Sequence, residues 1–230
     1  MTAGCCVLPG GYTRRANSIS PLFPGSKDVA AKIAWCEEQY AAQGLPTVFK
    51  LMATAQQTGL DTILEQQGYS LEDESQVWSA PLAELRIDKP GPHAVILPVE
   101  EWFSHYAAIT GQPTETQHWH RQILQAIVPA ICPMAIMRDG RPAAVGLGVL
   151  ERGMVGLYDV VTDKSYRRQG IATQLISAIV SWAATHGAHG TYLQVMPGNM
   201  PAQTLYAKLG YRLCYQYWYR VKQSMADTQG

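Results

Sequence analysis

At 230 residues the chain is long enough for one large domain or for two of roughly 100 residues each. It is 47% hydrophobic and 16% charged with a formal net charge of zero, a globular composition that excludes collagen, a coiled coil and a disordered chain. The neutral balance argues against a nucleic-acid partner, and no apolar run approaches the ~18 residues that span a bilayer, so no membrane partner is expected.

The first eighteen residues have no charged start followed by a long apolar core, which speaks against a signal peptide and for a cytoplasmic protein. Cys5, Cys6, Cys36, Cys132 and Cys214 are odd in number and lack Cys-x-x-Cys spacing; they read as buried free thiols, not as a disulfide or metal framework. Residues 11–22 read as an extended segment in which Arg14, Arg15, Asn17 and Ser18 line either a cleft or a solvated strand face. A helix over 27–43 follows from the stripe Val29, Ile33, Ala34, Cys36, Glu37 and Tyr40, with Gly44 as its stop. A short strand over 46–51, a second helix over 60–67 ending in Gly68-Tyr69, and a closing strand over 75–79 complete a first half. The stretch 86–93, with Pro90, Gly91 and Pro92 among charges, is the linker candidate and divides domains at 1–88 and 92–224.

The second half opens with a strand over 94–98 and helices over 99–110 and 115–127. Asp139-Gly140 between two apolar runs predicts a hairpin of 134–138 with 143–150. A reversal at Arg152-Gly153 leads into Met-Val-Gly-Leu-Tyr-Asp-Val-Val, a strand by its β-branched and aromatic content. A short polar turn and the run Arg167-Arg168-Gln169-Gly170-Ile171-Ala172 follow. Beyond them Ile171, Leu175, Ile176, Ile179 and Ala183 recur at helical spacing up to Gly187. A strand over 191–195, a helix over 201–209 stopped by Gly210, and a last strand or pair of strands over 211–221 end the pattern.

The halves resemble each other. In each, a helix ends in Gly (Gly44, Gly187), a strand follows, and a second helix ends in Gly-Tyr (Gly68-Tyr69, Gly210-Tyr211), at the same offset to within one residue. Leu64 stands where the second half has Tyr206, and nothing before the first helix matches the Arg-Arg-Gln-Gly loop.

A strand that feeds a helix through a Gly-containing loop leaves backbone N–H groups unpartnered at the positive end of the helix dipole, which makes an anion cradle. Gly-x-x-x-x-Gly-Lys-Ser/Thr is absent, and Gly146-Leu147-Gly148 lies inside a strand-like run, so neither a triphosphate loop nor a dinucleotide fingerprint is present. What remains is Arg167-x-x-Gly170-x-Ala172, followed by Asn199-x-x-Ala202-x-x-Leu205-Tyr206-x-Lys208-x-Gly210-Tyr211. Together, in this order and at this spacing, the two motifs resemble the coenzyme A loop and the following signature of the GNAT acetyltransferase superfamily. The resemblance covers roughly 94–222.

The resemblance implies a mixed α/β GNAT fold: a central, mostly antiparallel sheet with a splayed parallel strand pair, flanked by helices. The chain would hold two GNAT-like units, the first truncated and degenerate. It implies acetyl-CoA as co-substrate, no metal, and a small-molecule or peptide amine as acceptor, in a monomer or homodimer. The pyrophosphate would lie on backbone amides from Arg168 to Thr173. Arg167 and Arg168 would add charge, unless they reach only solvent, and Gln169, Gly170, Ile171, Ala172 and Thr173 complete the loop. Val160, Val161 and Thr162 would flank the pantetheine arm, with an N–H near Val161 as oxyanion donor. Asn199 would bond the pantetheine chain, cap the next helix, or do both. Tyr206 would protonate the departing thiolate, its phenol pKa near ~10 keeping it a donor at neutral pH; the alternative is a core tyrosine.

The base is less determined. Asp159 is the best-placed carboxylate, although its side of the strand is open; Glu151, Glu100, Glu101 or water are alternatives. His118 and His120, two apart on a helix, do not share a face, so they make no metal pair. The acceptor pocket is expected between 100–125 and the chain end, with Trp102, Tyr106 and Tyr217 as walls or as core. Two other functions compete with catalysis: an acetyl-CoA-binding regulator without turnover, and an interaction module.

Overall fold

The computed structural model describes residues 4–5, 13–15, 17–21, 28–53, 55–88, 91 and 93–223. Lys89, Pro90 and Pro92 of the expected linker lie outside the described residues, as do Lys27 and parts of 11–22. Contacts divide the chain into two compact units, Met1–Gln76 with Tyr215–Gly230, and Val77–Cys214. The expected break between 88 and 92 therefore falls inside the second unit.

The first unit begins with β1 (Gly4–Cys5) and β2 (Ile19–Ser20), then α1 (Val29–Ala41), β3 (Thr47–Met52), α2 (Ala55–Gln66) and the first residues of β4 (Ser70–Pro81). α1 forms where predicted. Asp28 caps its start by accepting from the Ala31 amide at 3.1 Å, and Ile33, Cys36 and Tyr40 make its buried stripe. These pack with Ile19, Phe49, Leu51, Leu64 and Tyr69 into one core. β2 runs parallel to β3, with Ile19 opposite Phe49. Arg14 is held by Glu72 and Asp73, and Asn17 and Ser18 are buried.

The second unit continues with β5 (Ala94–Ile96), α3 (Val99–Thr110), α4 (Thr114–Gln125), β6 (Ala130–Arg138), β7 (Arg141–Glu151), β8 (Met154–Thr162), α5 (Ile171–Thr185), β9 (Gly190–Val195) and α6 (Met200–Leu209). Its strands lie in the order β4-β9-β8-β7-β6-β5. The pairs from β5 to β8 are antiparallel, and β8–β9 is parallel. Asp139 and Gly140 both take positive φ, +52° and +75°, as the tight hairpin between β6 and β7 requires.

α5 covers one sheet face with the predicted Ile171, Leu175, Ile176, Ile179 and Ala183. It sits so close that a Cβ on Gly148 would come within 2.5 Å of the Ile179 side chain, which accounts for this glycine inside a strand. α3 and α4 cover the other face through Trp102, Phe103, Ala107 and Leu124, packed on Ala135, Val145 and Leu147.

The final stretch is one strand, β10 (Arg212–Lys222), not a pair; its residues Tyr217–Lys222 pair antiparallel with β3 in the first unit. There Arg220 is buried and bonds Asp61 at 2.8 and 3.0 Å, and Trp218 donates to the same carboxylate at 2.7 Å. Packing decides two open alternatives and corrects one expectation. Trp102 is fully buried with its indole N–H on the Met134 carbonyl at 3.2 Å, so it is core and not a pocket wall. Tyr217 is likewise fully buried, under the Lys50 ammonium at 4.0 Å. Cys36 and Cys132 are buried free thiols as expected, with burial pushing the Cys132 thiol up to about 12, but Cys214 is exposed and shares a hydrogen bond with Ser79.

Candidate active site

The site begins where two strands part. β8 and β9 pair only from Met154–Gly190 to Leu157–Leu193, while β8 runs on to Thr162. Beyond Leu157 the backbone groups on that side have no strand to bond among the described residues. On the other side β8 stays paired to β7 but slips register: Tyr158 faces Leu147 and Val161 faces Val145, so Asp159 and Val160 together oppose Gly146. That extra residue is a β-bulge, and Asp159 absorbs it with φ +50°. The bulge resets the alternation of faces. Leu157 and Val160 pack on the α5 side, whereas Tyr158 and Val161 pack on the α3 side.

Register also says which amides are free. Asp163 N–H bonds the Ala143 carbonyl at 2.9 Å, which makes Thr162–Ala144 a non-bonded pair and Val161–Val145 a bonded one. The Val161 N–H is thus spent on β7, and alternation turns the backbone groups of Val160 and Thr162 into the opening. Of the amides near Val161, that of Val160 is the one turned into the opening.

After β8, the Asp163 side chain caps a 3-10 turn over Lys164–Tyr166, accepting from Ser165, whose hydrogen bonds hold the carboxyl below its usual range. Arg168 and Gly170 then take φ +61° and +74° to swing the chain into α5. At Gly170 a Cβ would meet nothing, so the left-handed backbone rather than space calls for glycine. As N-cap it offers no side chain, and the first amides of α5, on Ile171, Ala172 and Thr173, have no intrahelical acceptor.

These parts converge on a cleft of about 710 Å3. Val160, Val161, Thr162, Arg167, Arg168, Gly170, Ile171, Ala172, Thr173, Asn199 and Tyr206 all line it. Gln169 does not; its amide folds back onto the Ser165 carbonyl at 3.1 Å. Asn199 accepts from the Ala202 amide at 3.2 Å as the cap of α6, and its side-chain NH2 remains a donor. Tyr206 is 8% exposed, meets Tyr211 edge to face at 5.9 Å, and burial raises its phenol pKa. Its hydroxyl has no hydrogen-bond partner among the described residues.

Asp159 lies off the cleft wall. Its Oδ2 is 3.1 Å from Nε2 of His120 on α4. The other carboxylates are less suited. Glu151, the last residue of β7, pairs with Met154 at the far end of β8, about 20 Å of strand from Val160, and Glu100 is engaged by Arg121 at 3.2 Å. Glu101 is exposed beside His105.

Two residues of the site escaped the sequence. Tyr166 lines the cleft, with its hydroxyl accepting from Arg141 at 3.0 Å. His120 is 7% exposed, and it shares the buried stripe of α4 with Leu124 one turn on; that stripe was the legible signal. Among the described residues no group of three or more His, Cys, Asp or Glu is placed to hold a metal, and no helix is long and apolar enough to cross a membrane.

The model of the Acetyltransferase (GNAT) family matches residues 96–211, just over half of the chain. The chain belongs to the GNAT acetyltransferase family. It is therefore an acyltransferase, and the matched region lies wholly in the second unit. This GNAT protein is 26% identical over 224 residues to the "Uncharacterized N-acetyltransferase YobR" of Bacillus subtilis (strain 168), covering 93% of this chain and 87% of that protein. Its fold is similar to that of a GCN5-related N-acetyltransferase from Kribbella flavida, with a TM-score of 0.66, 20% identity, and coverage of 92% and 84%. It is also similar to a tandem GNAT protein from the clavulanic acid biosynthesis pathway, with a TM-score of 0.68, 11% identity, and coverage of 90% and 75%.

Proposed function

We propose that this GNAT protein transfers acetyl from acetyl-CoA to a primary amine, on a small molecule or a peptide, by direct attack within a ternary complex. One observation carries the reading: free helix-start amides, the splayed β8 edge and the Tyr206 hydroxyl meet in a single cleft. Acetyl-CoA, when bound, supplies an activated acetyl thioester.

The chain's own groups divide the remaining work. The amides of Ile171, Ala172 and Thr173, backed by the α5 dipole, bind the pyrophosphate, and Arg167 and Arg168 add charge. The small side chain of Ala172 admits a close approach. Val160 and Thr162 offer backbone groups to the pantetheine amides, and the Val160 N–H polarises the carbonyl under attack. The Asn199 NH2 bonds the same arm. Tyr206 gives its hydroxyl proton to the departing sulfur; burial keeps the phenol protonated through neutral pH. Asp159 takes the proton that the acceptor must lose before its nitrogen can attack. Residues 1–88 are read as a truncated, degenerate GNAT-like repeat ahead of a catalytic domain over 92–224.

Calorimetry with acetyl-CoA and with desulfo-CoA tests the coenzyme, and thiol release across a panel of amines tests turnover. Tyr206→Phe should lower turnover at least about tenfold with acetyl-CoA binding unchanged. Unchanged turnover would remove Tyr206 as the acid, and binding without thiol release from any amine would favour a regulator over an enzyme.

A further inference from the structure

We infer that His120 is the positioning residue for the proton acceptor of this reaction: it fixes Oδ2 of Asp159 and leaves Oδ1 to face the amine. The inference rests on the reading of Asp159 as base and adds the residue that makes it one. The geometry starts at the bulge. A non-glycine residue at φ +50° is held in a sparsely populated region, which persists only where the surroundings enforce it. Here it takes Asp159 out of the strand's alternation, next to Val160 and within reach of α4.

His120 is built in from several sides. Its ring meets Phe103 and Tyr106 edge to face, each at 5.1 Å, and its Nδ1 lies 3.4 Å from the Gln112 side-chain oxygen. A carboxylate only accepts, so Nε2, at 3.1 Å from Oδ2, must carry a hydrogen. Both ring nitrogens face protein groups, so the imidazole is not available to a substrate. Asp159 differs: its side chain is 27% exposed, and Oδ1 has no hydrogen-bond partner among the described residues. When an ammonium N–H breaks, Oδ1–H forms, the nitrogen lone pair is released for attack, and the proton later leaves Oδ1 for solvent. His120 keeps its own protons throughout.

Other charged or titratable groups on the surrounding elements are engaged elsewhere or held off. On α3, Glu100 is bonded by Arg121, Glu101 lies beside His105, and Tyr106 presents its ring. On α4, His118 bonds Gln122, Glu115 is exposed in the first turn, and Arg121 stacks on Phe103 at 4.4 Å. On β8, the Tyr158 hydroxyl bonds that of Tyr192 at 2.8 Å.

The test is the steady-state kinetics of four proteins: wild type, His120→Leu, His120→Gln and Asp159→Asn. The acceptor is the amine with the fastest thiol release in the screen above, or water if no amine exceeds it. His120→Leu should lower kcat at least about tenfold and leave KM for acetyl-CoA within about twofold. His120→Gln keeps an N–H for Oδ2 and should recover most of the rate. A folded His120→Leu of wild-type kcat, or a folded His120→Gln as slow as His120→Leu, overturns the inference. Should His120→Leu not fold, His120→Gln decides alone, and a loss of about tenfold or more in that variant overturns the inference. Full turnover in Asp159→Asn sinks the base reading itself. An inactive Asp159→Asn beside a His120→Leu of wild-type kcat sinks only the role of His120.

Discussion

The run α1–β3–α2–β4 and the run α5–β9–α6–β10 share local geometry and differ at two points that matter for chemistry. Their first helices end in left-handed glycines, Gly44 at φ +64° and Gly187 at +85°, and the next residue bonds back to the same helical carbonyl position, Leu45 to Tyr40 and Ala188 to Ala183. Their second helices end in Gly68 and Gly210, with Tyr69 N–H on the Leu64 carbonyl and Tyr211 N–H on that of Tyr206, both at 3.0 Å. Both tyrosines are buried. At the N-cap of the first helix, however, α1 supplies the Asp28 carboxylate, whereas α5 supplies Gly170 and leaves its amides open. On the second helix the fully buried Leu64 stands against Tyr206 on the cleft. One run caps its own helix start and the other leaves it open. A helix N-terminus is a binding site only while nothing in the chain caps it.

The comparison can be broken by exchanging those features. Gly170→Asp gives α5 the carboxylate that α1 carries. It should weaken acetyl-CoA binding by about 100-fold, because the cap consumes an amide and places like charge against the pyrophosphate; calorimetry reads this, and unchanged affinity would refute the cradle. Leu64→Tyr, the reverse exchange, should cost about 1–3 kcal/mol through overpacking at a fully buried position and bring no activity; the denaturation midpoint with a parallel thiol-release assay checks both halves. Asp28→Ala should cost about 1 kcal/mol of stability and leave acetyl-CoA affinity alone, since that helix start is outside the proposed cleft; a changed affinity would mean that the two N-termini are not independent.

The first unit also carries an acid-side pH response. In it, hydrogen bonding by Arg220 holds the Asp61 carboxyl below its usual range. Its folded-state pKa lies below the unfolded one, so the unfolded chain binds more protons. The contribution is present above about pH 4 and is lost as pH falls through the folded value. Asp61→Asn should flatten the acid side of the stability curve, read as the thermal midpoint against pH; an unchanged slope would remove Asp61 as its source.

Much of this was legible beforehand because it is local. Gly170, Gly187 and Gly210 mark turns that need positive φ, Asp139-Gly140 marks a hairpin, and the stripe from Ile171 to Ala183 marks a helix face; each depends on neighbours within a few residues. The loop between β8 and α5 was readable for the same reason, since a strand, a turn and a helix start are contiguous in the chain. Three elements were misjudged by several residues at their ends, α2, β4 and β6, where partner strands and core contacts set the limits.

The amino-acid sequence by itself determined the family, the order of elements and the open helix start after β8, because helix period, turn chemistry and free amides at a helix start are properties of short stretches. Only the tertiary structure decided where Asp159 points. A single inserted residue in β8 reverses the faces of a strand, and whether that residue exists depends on register against β7, which periodicity along one strand cannot report. The same packing brought His120 from α4 to Asp159, joining residues 39 positions apart. It also closed Trp102 and Tyr217 into cores, since an aromatic side chain is assigned to core or pocket by what other elements lay over it.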